Sequence, residues 1–172
     1  MKKFLLLFVW LSTMLVARHT QANFYTVTGT VDNTDAATHG GSGTVGAPFQ
    51  MSSLRGAIIA ANANGGADTI TLPAGTYTLT RVGNDSTCQN GDLDINGSLT
   101  INGAGPATTI VQGATDAAFT GSIGDKIFGI NQDGTFTNLT VLLSGMTIRY
   151  GRNTVPYNDP SFAYTGAGID VL

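Results

Sequence analysis

The feature that most constrains this chain is a pair of short alternations that keeps returning. Ile70-Thr-Leu72 is followed by Tyr77-Thr-Leu79, Leu93-Asp-Ile95 by Leu99-Thr-Ile101 and Val141-Leu-Leu143 by Met146-Thr-Ile148, and Ile169-Asp-Val171 opens another unit. Apolar residues at every second position mark strands with one buried face. The breaks between them, Pro73-Ala74-Gly75, Asn96-Gly97-Ser98 and Ser144-Gly145, are turn sequences. Leu79 to Ile101 spans 22 residues and Ile148 to Ile169 spans 21, a period in the low twenties that suits one coil of a solenoid. Successive coils would lie about 4.8 Å apart, stacking Ile, Leu and Val inward and leaving Thr, Asp and Asn outside. The pattern predicts an all-β fold, a right-handed parallel β-helix (solenoid) of about four coils over residues 67–172. An antiparallel sandwich would instead show strands of about five or six residues joined by hairpin turns.

Composition supports strands and corners over helices. All 11 acidic residues are Asp, with no Glu, and there are 23 Gly. Asp favours caps and turns, and Gly serves corners that need positive φ. One helix is expected, Ser53 to about Asn64, with Leu54, Ala57, Ile58 and Ala61 on one face. Within an N-terminal cap of residues 23–66 it would close the open end of the core, because a solenoid end exposes apolar cross-section and unpaired strand edges. Phe24-Tyr-Thr-Val-Thr reads as a strand able to pair with the first coil, and Asp35 to Gly46 as a polar, mobile loop. The opposite end, around Ile169-Asp-Val171, is expected to be uncapped and open to self-association through its edge.

Residues 1–22 have the form of a secretory leader. Lys2 and Lys3 precede an apolar run from Phe4 to Ala17, and Thr20-Gln21-Ala22 places small residues for cleavage after Ala22. The run is shorter than the roughly 18–20 residues a membrane span needs, and no later stretch is long enough. A secreted or cell-surface location follows. Losing the leader removes Lys2, Lys3 and Arg18, so the formal charge moves from −3 to −6. With the remaining cations scattered, nucleic acid is excluded as a partner. The single Cys88 cannot form an internal disulfide and reads as a lone buried thiol or an intermolecular one.

Several blocks in order carry a family likeness: Phe24-Tyr-Thr-Val-Thr, Ser52-Ser-Leu-Arg-Gly-Ala-Ile, Ala61-Asn-Ala-Asn, Ala67-Asp-Thr-Ile-Thr-Leu-Pro-Ala-Gly-Thr-Tyr, Gly91-Asp-Leu-Asp-Ile, Leu99-Thr-Ile-Asn-Gly-Ala-Gly and Leu143-Ser-Gly-Met-Thr-Ile-Arg. Together they resemble the N-terminal CSLREA-type domain of secreted bacterial right-handed parallel β-helix proteins. The resemblance implies an exported or surface-displayed, adhesin-like protein whose partner is a glycan or a host or cell-surface ligand. Ser52 and Gly56 stand where the family motif has Cys and Glu. The missing Glu removes half of a capping box whose N-cap is Ser53. Gly in a first helical turn costs up to about 1 kcal/mol relative to Ala, so a weakened cap is expected. Arg55 is kept, either bonding backbone carbonyls of the loop it faces or lying solvated on the surface.

The sites on offer are sparse. Asp92-Leu-Asp94-Ile-Asn96-Gly97 matches the start of an EF-hand loop, but position 12 is Gly103 where a Glu is required. No cofactor is therefore expected. Asp92 and Asp94 face one side of a strand and remain the candidates for a Ca²⁺ site of another kind, against a default of two solvated carboxylates. The same pair would anchor the catalytic alternative, a polysaccharide lyase or glycoside hydrolase of the pectate-lyase-like fold. Such an enzyme needs a second carboxylate or a base, and no catalytic residues can be assigned. The only His of the mature chain, His39, sits in a Gly-rich loop. The sequons at Asn84, Asn96 and Asn138 read as chance matches, and Tyr150, Tyr157, Phe162 and Tyr164 as loop aromatics packing over the last coil. The sequence points to a non-catalytic structural or adhesive module, with a fragment of a longer surface protein as a further expectation.

Overall fold

The computed structural model describes residues 21–132, 134–152 and 168–171. Residues 1–20 of the expected leader lie outside them, as do Tyr157, Phe162 and Tyr164. Among the described residues eleven strands and one helix are formed. In order they are β1 (Phe24–Val27), β2 (Phe49–Met51), α1 (Leu54–Asn64), β3 (Asp68–Leu72), β4 (Gly75–Thr78), β5 (Leu93–Ile95), β6 (Leu99–Gly103), β7 (Thr109–Gln112), β8 (Phe128–Ile130), β9 (Val141–Ser144), β10 (Thr147–Arg149) and β11 (Ile169–Val171). They make three sheets, ordered β2-β1-β3-β6-β9, β10-β7-β4 and β11-β8-β5. Every pairing between these strands is parallel. From β3 onward each sheet takes every third strand, so the chain visits the three sheets in rotation three times.

Register turns the alternating pattern into columns of apolar side chains. Phe49, Tyr25, Ile70, Ile101 and Leu143 lie opposite one another across five strands. Tyr77, Val111 and Ile148 form a second column, and Leu93, Phe128 and Ile169 a third. The middle members are sealed, with Ile70, Ile101, Val111, Leu93 and Phe128 all at 0 % exposure. Burying each such side chain contributes roughly 1.5–3 kcal/mol. A one-residue slip would turn the column outward, so the alternation also sets the register.

The same pairings correct the repeat length. Asp68 lies opposite Leu99, 31 residues on, and Leu99 opposite Val141, 42 residues on. From β3 onward each return to a sheet therefore takes more than thirty residues, not the low twenties, and among the described residues the rotation is made three times rather than about four. The shorter spacing came from two alternations that belong to different sheets, and from missing β7 and β8. Thr109–Gln112 shows little alternation, and Phe128-Gly-Ile130, which does alternate, stands without a second alternation across a short corner.

Helix α1 begins where expected. Ser53 is the N-cap, its hydroxyl accepting from the Gly56 N–H at 2.9 Å and donating to the Asn33 carbonyl at 2.8 Å. Gly65 ends the helix in the left-handed conformation, φ 73°. Leu54, Ala57, Ile58 and Ala61 are buried, and the helix packs on β1, β2, β3 and β5, at the end of the core nearest the first turn. Gly56 has a steric role beyond its helix propensity. A Cβ at residue 56 would collide with the Asp35 carbonyl oxygen, so the loop and the helix approach to a distance only Gly permits. The loop from Asp35 to Gly46 is likewise more structured than its composition suggests. His39 N–H bonds the Gln50 carbonyl, Gln50 N–H bonds the Gly40 carbonyl, and Thr44 bridges Ala47.

Candidate functional site

The polar residues singled out from sequence meet in one buried layer beside α1. Arg55 is 1 % exposed, which excludes the surface alternative. Its Nε lies 2.6 Å from Asp32 Oδ1, and its Nη2 donates to Asp32 Oδ2 at 3.3 Å and to the Gly91 carbonyl at 2.8 Å. Nη1 donates to the carbonyls of Cys88 and Asp92 at 3.3 and 2.8 Å. All five guanidinium donors are thus engaged. Asp32 Oδ2 also accepts from the N–H groups of Thr80 and Arg81, so one ion pair ties the cap to the loop over residues 80–92.

That loop is why Asp92 and Asp94 are not outside. Alternation along Leu93-Asp-Ile95 assigns them to the solvent face, yet they are 0 % and 1 % exposed and all of β5 is buried. Residues 80–91 fold back over the outer face of β5, and Cys88 N–H donates to Asp94 Oδ2 at 2.9 Å. Asn62, on α1, donates to the Asp94 carbonyl at 2.8 Å. Period-two reasoning assigns a face to each side chain but cannot tell whether a distant loop covers it.

Two residues that carried no signal in the sequence complete the layer. Asp125 and Lys126 precede β8, the neighbour of β5, and both are buried. Lys126 Nζ lies 3.3 Å from Asp92 Oδ2 and 3.6 Å from Asp125 Oδ1. Asp125 Oδ1 also accepts from the Lys126 N–H at 2.8 Å. Gly129 makes room on β8, since a Cβ there would collide with Asp92 Oδ2. Had β8 been recognised and set in register with β5, the Asp125-Lys126 pair would have fallen beside Asp92.

Burial dominates the electrostatics. It pushes the Asp94 carboxyl up to about 7, with the charge of Asp92 adding to the effect. Burial, then the charge of Asp125, pushes Asp92 up to about 6 against the pull of Lys126. Burial also pushes the Cys88 thiol up to about 12, which keeps it a neutral, unreactive core group; it is free among the described residues.

For Ca²⁺, the charge beside Asp92 is already supplied by Lys126, and among the described residues no three His, Cys, Asp or Glu side chains are placed to hold one metal ion. For glycan chemistry, a carboxylate pair at 0–1 % exposure does not meet a sugar without opening of the 80–91 loop. Arg149, on β10, donates from its Nε to Gln112 Oε1 at 2.8 Å, away from the layer. The buried layer serves to join the cap, the loop and the first two turns. No family model, no curated protein and no solved structure matches the chain.

Proposed function

We propose that this chain is an exported, non-catalytic β-helix module of the CSLREA-type family, a capped N-terminal segment that presents a rigid surface for structural or adhesive use. The observation that carries the reading is the rotation of consecutive strands through three parallel sheets, which is how a parallel β-helix is wound. Right-handed winding follows from the strong preference of parallel crossover connections for that hand. Export rests on the leader pattern of residues 1–22. In keeping with it, no helix among the described residues is long and apolar enough to cross a membrane. Absence of catalysis rests on the burial of the acidic candidates, Asp92 facing Lys126 and Asp94 accepting from the Cys88 N–H inside the layer.

Side chains pointing away from the core would do the binding. Thr69, Thr100 and Leu142 lie opposite one another along the first sheet, as do Thr71, Asn102 and Ser144. Such a regular hydroxyl and amide face suits a neutral glycan or another protein surface better than a polyanion, given the negative net charge. The test is to assay the mature chain for binding on a glycan array and to intact cells, alongside its activity on polygalacturonate and other acidic glycans. Binding without turnover is expected. Calcium-dependent cleavage that is lost in Asp92→Ala would overturn the proposal.

A further inference from the structure

The Lys126–Asp92 contact departs from an ordinary buried ion pair. Such a pair is tolerated in a protein interior when its lone pairs are taken up by further hydrogen bonds. Here neither carboxylate oxygen of Asp92 has a hydrogen-bond partner among the described protein groups, and Asp125 Oδ2 has none either. The three side chains are 9 %, 1 % and 3 % exposed, and Nζ stands 3.3 Å from Asp92 Oδ2. The amine nitrogen is thus held in contact with the carboxyl group it would attack, the kind of fixed proximity that turns a condensation into an intramolecular step. Both residues are held there by backbone: Leu93 N–H bonds the Ile127 carbonyl at 2.9 Å, and Leu93 pairs with Phe128 on the neighbouring parallel strand. From the other side, the missing side chain of Gly129 lets Asp92 sit against β8.

We propose that Lys126 and Asp92 condense spontaneously to an intramolecular isopeptide bond that staples the first turn of the structure to the second, with Asp125 as the proton carrier. In the reaction the ammonium passes a proton to the Asp92 carboxylate, giving an amine beside a carboxylic acid. The Nζ lone pair attacks Asp92 Cγ and forms the C–N bond. Asp125 takes a proton from the nitrogen and returns it to the departing hydroxyl, the C–O bond breaks, and water leaves. The sum is ammonium plus carboxylate giving amide plus water, with Asp125 unchanged and no oxidant, metal or co-reactant required.

Burial supplies the driving force. In water the two ions are too well solvated to condense, whereas in a dehydrated layer the neutral amide replaces two charges that are costly to bury. It also removes one of the orphaned Asp92 oxygens and leaves an amide N–H beside Asp125. The acid form of Asp92 is accessible, because its carboxyl is pushed up to about 6, by burial first and then by the charge of Asp125. Lys126 works against speed: burial pulls its pKa down, but Asp92 and Asp125 more than offset this and hold the ammonium above its usual value. The bond therefore forms slowly, after folding.

Mass spectrometry of the purified, folded full chain decides the matter. The expected product is lighter by one water, about 18 Da, the loss that an intramolecular condensation of two held groups produces. Lys126 is the only Lys or Arg between Arg81 and Arg149. Trypsin should therefore release residues 82–149 as one piece lacking a water, where an uncondensed chain yields 82–126 and 127–149. A succinimide elsewhere would remove a water but leave Lys126 cleavable, and would count against the bond. Lys126→Arg and Asp92→Ala should restore the full mass, and Asp125→Ala should restore it in a chain whose circular dichroism is unchanged. Should the variants fail to fold, the wild-type digest stands alone. Cleavage at Lys126 after prolonged incubation of folded protein at pH 6–7 means an ion pair only and overturns the proposal.

Discussion

At the scale of single residues, the Arg55 guanidinium bears most of the weight of the cap. It has five donors and five acceptor atoms drawn from two separate stretches of chain, Asp32 and residues 88–92. Lys in its place would keep the charge but offer three donors from one point, leaving buried carbonyls and part of Asp32 without partners. Arg55→Lys is expected to cost about 3 kcal/mol, in line with breaking a buried ion pair, measured as a shift in urea midpoint at unchanged slope. Asp94 yields a prediction of opposite character. Its folded carboxyl titrates at about 7 against an ordinary value of 3.8, so between those values the folded state holds a proton that the unfolded state has released. Stability from this group is present at low pH and is lost as pH rises through about 7. Melting temperature should fall between pH 5 and pH 8, and Asp94→Asn, neutral throughout, should flatten that slope and raise the melting temperature at pH 8. A steeper slope in the variant would contradict the assignment. Neither behaviour was legible in the residues themselves. Arg55 stood equally well as a surface side chain, and Asp94 as a solvated one, because each depends on the 80–91 loop lying over β5, a contact that no local pattern encodes.

At the scale of elements, legibility tracks how local the cause is. Helix α1 was readable to within a residue, since Ser53, the apolar face and Gly65 act over one or two turns. β3, β5, β6 and β9 were readable from alternation, and β1 as the strand that joins β3. β2, β7 and β8 were not: Thr109–Gln112 alternates too little to announce a strand, and Phe49-Gln-Met51 and Phe128-Gly-Ile130, which do alternate, stand without a second alternation across a short corner. The repeat length failed for the same reason, since it depends on which strands pair. Gly56 shows propensity overridden by packing. Replacing Gly by Ala in a helix normally gains up to about 1 kcal/mol, and Gly56→Ala would be the natural stabilising change on sequence grounds. The Asp35 carbonyl occupies the position of the new Cβ, so the loop or the helix must shift. A loss of about 1–3 kcal/mol is expected, the usual range for overpacking, with thermal unfolding as the readout. An increase in stability would show that the cap loop gives way freely.

At the scale of the whole molecule, the two ends differ. The end formed by β1, β2 and the first turn is closed by α1 and by the Arg55–Asp32 pair. At the other end β9, β10 and β11 each have a single neighbour in their sheets among the described residues, so no described strand pairs the N–H and C=O groups along their far edges. Proteins blunt such edges with Lys, Pro or bulges. β9 reads Val-Leu-Leu-Ser with no charge, Leu142 is 53 % exposed, and Ile169 and Val171 on β11 are 41 % and 64 % exposed. Parallel strands with matched spacing could continue across these edges into a second copy or into further turns, and the apolar columns ending at Leu143, Ile148 and Ile169 would be continued with them. The mature chain alone is therefore expected to associate as its concentration rises, seen as growing mass in light scattering. Leu142→Lys, which puts a charge on the β9 edge without touching the buried column at Leu143, should shift that association to several-fold higher concentration while leaving the melting temperature within a few degrees. The cap-side variant Arg55→Lys lowers stability without altering the edge, and so separates association through native edges from aggregation of unfolded chain. If Arg55→Lys drives association and Leu142→Lys does not suppress it, the open edge is not the cause.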